Sequence, residues 1–163
     1  SEVLSLPDLP ESYGFEAPLT ISVHLQSFQL ALESGPLAIR RYAVGIGKPD
    51  SKTPEGTFEA ELRVNEPVSA AKLFGTRALS FARGEYAIHG TYDEDSIGRA
   101  GTNGCIRLSN GDIEELFALA PLGTTIDIRS GPAPHPAWES VPDRFTLEPG
   151  PYETTQRIFR WRG

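Results

Sequence analysis

The chain has 163 residues, 39% hydrophobic and 23% charged, with a formal net charge of -7. That size and apolar content support one domain with a real core, and the acidic balance excludes a general nucleic-acid binder, which needs clustered Lys and Arg against phosphate. The single cysteine excludes an internal disulfide, and no run approaches the roughly 18 apolar residues that span a bilayer.

Residues 1–18 contain Pro7, Pro10 and Pro18 and read as an extended N-terminal arm without a basic-then-apolar leader. Residues 19–128 form the expected domain. Leu19, Ile21, Val23 and Leu25 alternate with polar residues, and Phe28, Leu30 and Leu32 do so after a Gln26-Ser27 link, which predicts two half-buried strands in a hairpin. His24 lies on the polar phase of the first. Leu37 to Ile46 predicts a further strand. The GIGKP string that follows is not a phosphate loop, because Pro49 comes directly after the lysine where that motif needs Ser or Thr and a helix.

Thr53 to Thr57 is a turn signal into a strand from Phe58 to Val64. Residues Asn65 to Arg77 are less regular and are expected at the rim of a site or as a cover over it. Ala78 to Phe81 and Tyr86 to His89 predict short strands around Arg83-Gly84, so an antiparallel, mainly β domain accumulates.

The stretch Tyr86 to Leu108 carries the chemistry. It joins one of three histidines, His89, to the lone cysteine, Cys105, through a segment rich in glycine and hydroxyl groups. A lone cysteine is more often a small buried hydrophobe than a nucleophile. Here it stands beside a glycine and two residues before an arginine, with an isolated histidine ending an apolar run. A thiol becomes a useful nucleophile when an imidazole takes its proton or stabilises the thiolate, and a loop between paired strands can bring the two together. Gly104 lets main-chain N–H groups converge on a developing oxyanion. Arg107 can bind a carboxylate bidentately, or serve in a structural ion pair.

Beyond Leu108 the period changes. Ser109 and Asp112 match a capping box; Ile113, Leu116, Phe117 and Ala120 then recur on one helical face, and Pro121 with Gly123 ends the helix. Thr124 to Ile128 predicts the last strand. Residues 129–163 form a Pro- and aromatic-rich C-terminal extension: Trp138, Phe145, Phe159 and Trp161 are too apolar for a solvated tail, which predicts a wrap along the domain, either as a wall of a groove or as a structural clasp. His135, among prolines, is expected to be inert. Three scattered histidines and one cysteine lack the tight spacing of a metal site, so no metal or other cofactor is expected.

The segments IHGT and SIGRA and the run TNGCIRL resemble the signature of the L,D-transpeptidase catalytic domain, the YkuD family. PLTISVHLQSFQLAL, YAVGIGKPDSKTPEGTF and LSNGDIEELF resemble that domain in the same order, over about Leu19 to Ile128. The resemblance implies a β-sandwich or barrel with one short helix after the cysteine motif. It makes Cys105 the nucleophile, His89 its base or imidazolium partner, the Gly90 carbonyl the group that orients the imidazole, and Arg107 a neighbour of the donor peptide. Where the family usually has a histidine two residues before the cysteine, this chain has Asn103, which can position but cannot carry a proton at neutral pH. Asn103 and Gly104 are thus assigned to the oxyanion region, and Tyr86, Thr91, Ser96 and Arg99 to the substrate groove.

By the same resemblance the expected reaction is cysteine acyl transfer from an L-to-D bond of one peptidoglycan stem peptide, the donor, to an amine of another, the acceptor. The alternatives are a carboxypeptidase or endopeptidase cutting the same bonds and an inactive wall-binding module. Covalent inhibition by carbapenems and a place in the periplasm or cell wall are also implied.

Overall fold

The computed structural model describes residues 18–69, 72–134, 152–154 and 157–163. The expected N-terminal arm, and His135, Trp138 and Phe145, lie outside the described residues.

Strand β1 (Leu19–His24) alternates buried and half-buried side chains as its sequence predicts, and a short 3-10 turn returns it antiparallel as β2 (Gln29–Ser34). β3 (Leu37–Ala43) follows, β4 is the short pair Ile46–Gly47, and β5 spans Gly56–Glu59. β6 (Leu62–Asn65), β7 (Arg77–Phe81), β8 (Tyr86–His89), β9 (Ala100–Thr102) and β10 (Ile106–Arg107) lead to helix α1 (Asn110–Leu119) and β11 (Thr125–Arg129). One sheet has the order β3-β2-β1-β11-β5, a second β10-β8-β7-β6, and β4 pairs with β9. The outer strands of each larger sheet, β3 and β5 in the first and β10 and β6 in the second, do not pair with one another, so the expected barrel does not close. The sandwich reading stands.

Two expected strands divide. Leu37 to Ile46 breaks after Ala43, where Val44 N–H turns to the Phe28 carbonyl. Phe58 to Val64 breaks at Ala60-Glu61: Ala60 N–H donates to the Thr124 carbonyl just before β11 of the first sheet, and Glu61 N–H to the Ser80 carbonyl in β7 of the second. The chain crosses between sheets there without interrupting its alternation, so the pattern reads as one strand.

The β7–β8 hairpin needs a run of left-handed backbone, with Ala82, Arg83 and Gly84 at φ 57, 58 and 78°. The Glu61 carboxylate holds this turn by accepting the N–H groups of Arg83 and Gly84 at 2.8 and 2.9 Å. The period of two then gives the second sheet two distinct faces. Leu79, Phe81, Ile88 and Ile106 face the main core, shared with β1, β2, β11 and the apolar side of α1. Val64, Ala78, Ala87 and Cys105 belong to a separate, smaller cluster.

Helix α1 begins as expected. Ser109 Oγ accepts the Asp112 N–H at 3.1 Å, and Ile113, Leu116 and Phe117 are fully buried. Its buried Glu115 is satisfied by Tyr42 Oη at 2.7 Å and Arg40 Nε at 3.0 Å, which ties the helix to β3.

Candidate active site

The site lies on the face of the second sheet turned away from the main core. β8 and β10 run parallel, with Ile106 opposite Ile88 and Arg107 opposite His89. Opposed residues share a face, so Arg107 and His89 project together, and Cys105, two residues before Arg107, projects with them. The sixteen-residue spacing thus brings the two side chains onto one face of the sheet, without the thiol–imidazole hydrogen bond expected of it.

His89 Nδ1 lies 2.6 Å from the Gly90 carbonyl oxygen. A carbonyl only accepts, so Nδ1 carries the proton, and in the neutral ring Nε2 is a bare acceptor. Nε2 is buried without a hydrogen-bond partner among the described residues. The Gly90 carbonyl is itself fixed: Gly90 N–H donates to Arg77, and a side chain at Gly90 would overlap Asn110 Oδ1, which accepts the Thr76 N–H at 3.1 Å.

Cys105 Sγ accepts the Ala87 N–H at 3.3 Å rather than meeting the imidazole. Thiol and ring are both 0% exposed. Burial pushes the thiol up to about 12, against smaller lowering by the Ala87 N–H and Arg107, and takes His89 down to about 4, opposed by Gly90 and assisted by Arg107. Both are therefore neutral at pH 7 in this closed arrangement. Arg107 is half-buried with its Nε unpartnered; burial lowers its pKa, while Asp93 and Cys105 act the other way.

The oxyanion expectation is corrected in part. Gly104 N–H is turned inward onto Thr102 Oγ1 at 3.0 Å, and that hydroxyl donates to the Cys105 carbonyl at 2.7 Å. The outward main-chain donors are the N–H groups of Cys105 and Asn103. Gly104 contributes an absent side chain instead: at φ 130° it closes against Tyr86, whose ring a Cβ would overlap. The Asn103 side chain is exposed.

Tyr86 therefore supports the cysteine loop from below. Thr91 is buried and accepts the Asp93 N–H at 2.9 Å, and Ser96 Oγ donates to the Asp93 carbonyl at 2.6 Å. These hydroxyls are spent on their own loop. Arg99 is an exposed residue whose carbonyl accepts the Ile46 N–H at 3.0 Å.

The aromatics covering the site come from the two segments that the sequence placed beside it, 65–77 as rim or cover and the C-terminal extension as wall or clasp, although Phe74 was not singled out. Phe74 stands edge-on to His89, ring centroids 4.9 Å apart, and to Trp161 at 4.8 Å. Trp161 stacks on Phe159 at 4.5 Å, and all three aromatics share the small cluster with Cys105. The apolar character of 65–77 and of the C-terminal extension was the available signal. Among the described residues, no three His, Cys, Asp or Glu side chains gather as metal ligands.

A family model described as the L,D-transpeptidase catalytic domain, YkuD, matches residues 18–128. A Bacillus subtilis protein named "Putative L,D-transpeptidase YkuD" is 33% identical over 123 residues, which cover 76% of this chain and 72% of that protein. The crystal structure of an L,D-transpeptidase from Xylanimonas cellulosilytica superposes with a TM-score of 0.60 at 21% identity, covering 69% of this chain and 61% of that one. Mycobacterium tuberculosis L,D-transpeptidase 3 bearing a faropenem-derived adduct superposes at 0.61 and 14% identity, covering 68% and 60%. The chain thus spans about three fifths of each of these two solved structures.

Proposed function

The chain belongs to the L,D-transpeptidase catalytic domain family, and from that premise we propose that it cross-links peptidoglycan stems by cysteine acyl transfer. The observation carrying this reading is the shared face of Cys105, His89 and Arg107, with His89 Nδ1 held by Gly90 so that Nε2 is free for proton work.

With the site open, His89 Nε2 takes the thiol proton and Sγ attacks the carbonyl of an L residue followed by a D residue. The N–H groups of Cys105 and Asn103 hold the oxyanion, and one such donor typically contributes about 2.7 to 4 kcal/mol to the transition state. The C–N bond breaks as His89 gives its proton to the departing amine. A thioester to Cys105 remains. An amine of a second stem, deprotonated by His89, then attacks; a new C–N bond forms, the C–S bond breaks, and the thiol recovers its proton. Arg107 binds donor carboxylate. Stem peptides supply donor and acceptor, and the periplasm or cell wall is the compartment where both occur. A β-lactam of the penem or carbapenem class, acylating the same sulfur, is the matching inhibitor, as the adduct on the mycobacterial relative suggests.

The test is incubation with defined muropeptides and mass spectrometry of the products. Dimers from the parent, and none from Cys105→Ala or from a folded His89→Ala, support cross-linking. Trimmed monomers show that water is the acceptor, and unchanged material from every form leaves a wall-binding module.

A further inference from the structure

Cys105 N–H donates to the Arg162 carbonyl at 2.9 Å, and Asn103 N–H to the Gly163 carbonyl at 3.2 Å. The two outward amides beside the thiol are thus occupied by successive carbonyls of the chain's own residues 157–163. Phe159 and Trp161 of this segment are 7% and 6% exposed, and they close over Phe74, Ala78, Ala87 and Cys105. A peptide cannot reach a sulfur with no exposed surface while this segment is in place.

We propose that residues 157–163 form an autoinhibitory strap, an internal peptide seated over Cys105 that must leave before substrate enters. This extends the cross-linking reading and rests on it only for what the strap inhibits. Its carbonyls take the donors that a substrate oxyanion needs, and its paired aromatics fill the hollow beside the imidazole.

The attachment is suited to release. Among the described residues the main core contains none beyond Ile128, so its packing does not draw on the strap. Apart from Cys105 and Asn103, the strap is held through Arg162 N–H to the Glu85 carbonyl at 3.1 Å and Phe159 N–H to the Val68 carbonyl at 2.9 Å. Its ion pair to the domain, Arg162 to Glu85 at 3.4 Å, has side chains 57% and 58% exposed and holds weakly. Closure also keeps the thiol un-ionised, since burial raises it.

The experiment reads Cys105, the chain's single thiol, by its rate of alkylation with iodoacetamide in the full chain. Trp161→Ala is expected to speed alkylation at least tenfold, while Trp161→Phe stays within about threefold of the parent. Should Trp161→Ala fail to fold, as judged by loss of a cooperative melt, Glu85→Arg at the surface decides, with an expected increase of about two- to fivefold from a lost exposed ion pair. A folded Trp161→Ala that alkylates at the parent rate overturns the strap, as does a folded Glu85→Arg at the parent rate where Trp161→Ala does not fold. Faster alkylation with no muropeptide product from any form upholds the strap and rejects the cross-linking reading. Cross-linking that accelerates in step with alkylation upholds both.

Discussion

Gly104 occupies a position that two separate constraints reserve for glycine. Its φ of 130° is a conformation L side chains rarely adopt, and a Cβ there would overlap the Tyr86 ring. Gly104→Ala is expected to destabilise the fold by about 1–3 kcal/mol, read as a fall in the urea midpoint. Adding Tyr86→Ala should recover the steric part and leave the backbone part; full recovery would show that φ contributes nothing. At this scale the thiol, the imidazole and the glycine were legible, because each is chemically distinctive where it stands. The inward turn of Gly104 N–H was not, since it depends on where the Thr102 hydroxyl points. Phe74 carries no local mark of its contact with His89, a packing fact between segments distant in sequence.

Among the elements, α1 was the most legible, because its cap, its apolar period and its Pro-Gly end agree. It also fixes the imidazole: Asn110, at its first turn, takes the Thr76 N–H and packs against Gly75 and Gly90, whose carbonyl holds His89 Nδ1. Ser109→Ala removes the acceptor for Asp112 N–H and should cost about 1 kcal/mol, measured by urea unfolding. A Ser109→Asp chain, which restores an acceptor, should regain most of that loss. If Ala and Asp prove equally unstable, the cap is not the source of the effect. The β5–β6 step was illegible for the opposite reason. Alternation reports only that every second residue is apolar: Phe58 and Ala60 go to the main core and Leu62 and Val64 to the smaller cluster, so nothing in the period changes as the chain passes from one sheet to the other.

At the level of the whole molecule, two apolar clusters lie on opposite faces of one sheet, and among the described residues only the smaller draws on positions after 128. That division gives strap closure its own pH dependence. His89 sits at about 4 in the closed form against an ordinary 6.5, so the open site binds a proton that the closed site refuses, and closure weakens as pH falls below 6.5. Cys105 sits at about 12 against an ordinary 9.0; the open site loses a proton that the closed site keeps, and closure weakens as pH rises above 9. The charged groups nearby are Arg107, which disfavours the imidazolium and favours the thiolate, Asp93 beside it, and the Arg162–Glu85 pair. The closed form should therefore be most populated between about pH 6.5 and 9. Acrylamide quenching of Trp161 fluorescence, in a Trp138→Phe background, should be weakest in that window and rise on either side. His89→Gln should flatten the acid limb alone and Cys105→Ser the alkaline limb alone. Limbs that persist unchanged in those two variants would assign the pH dependence to groups elsewhere in the protein.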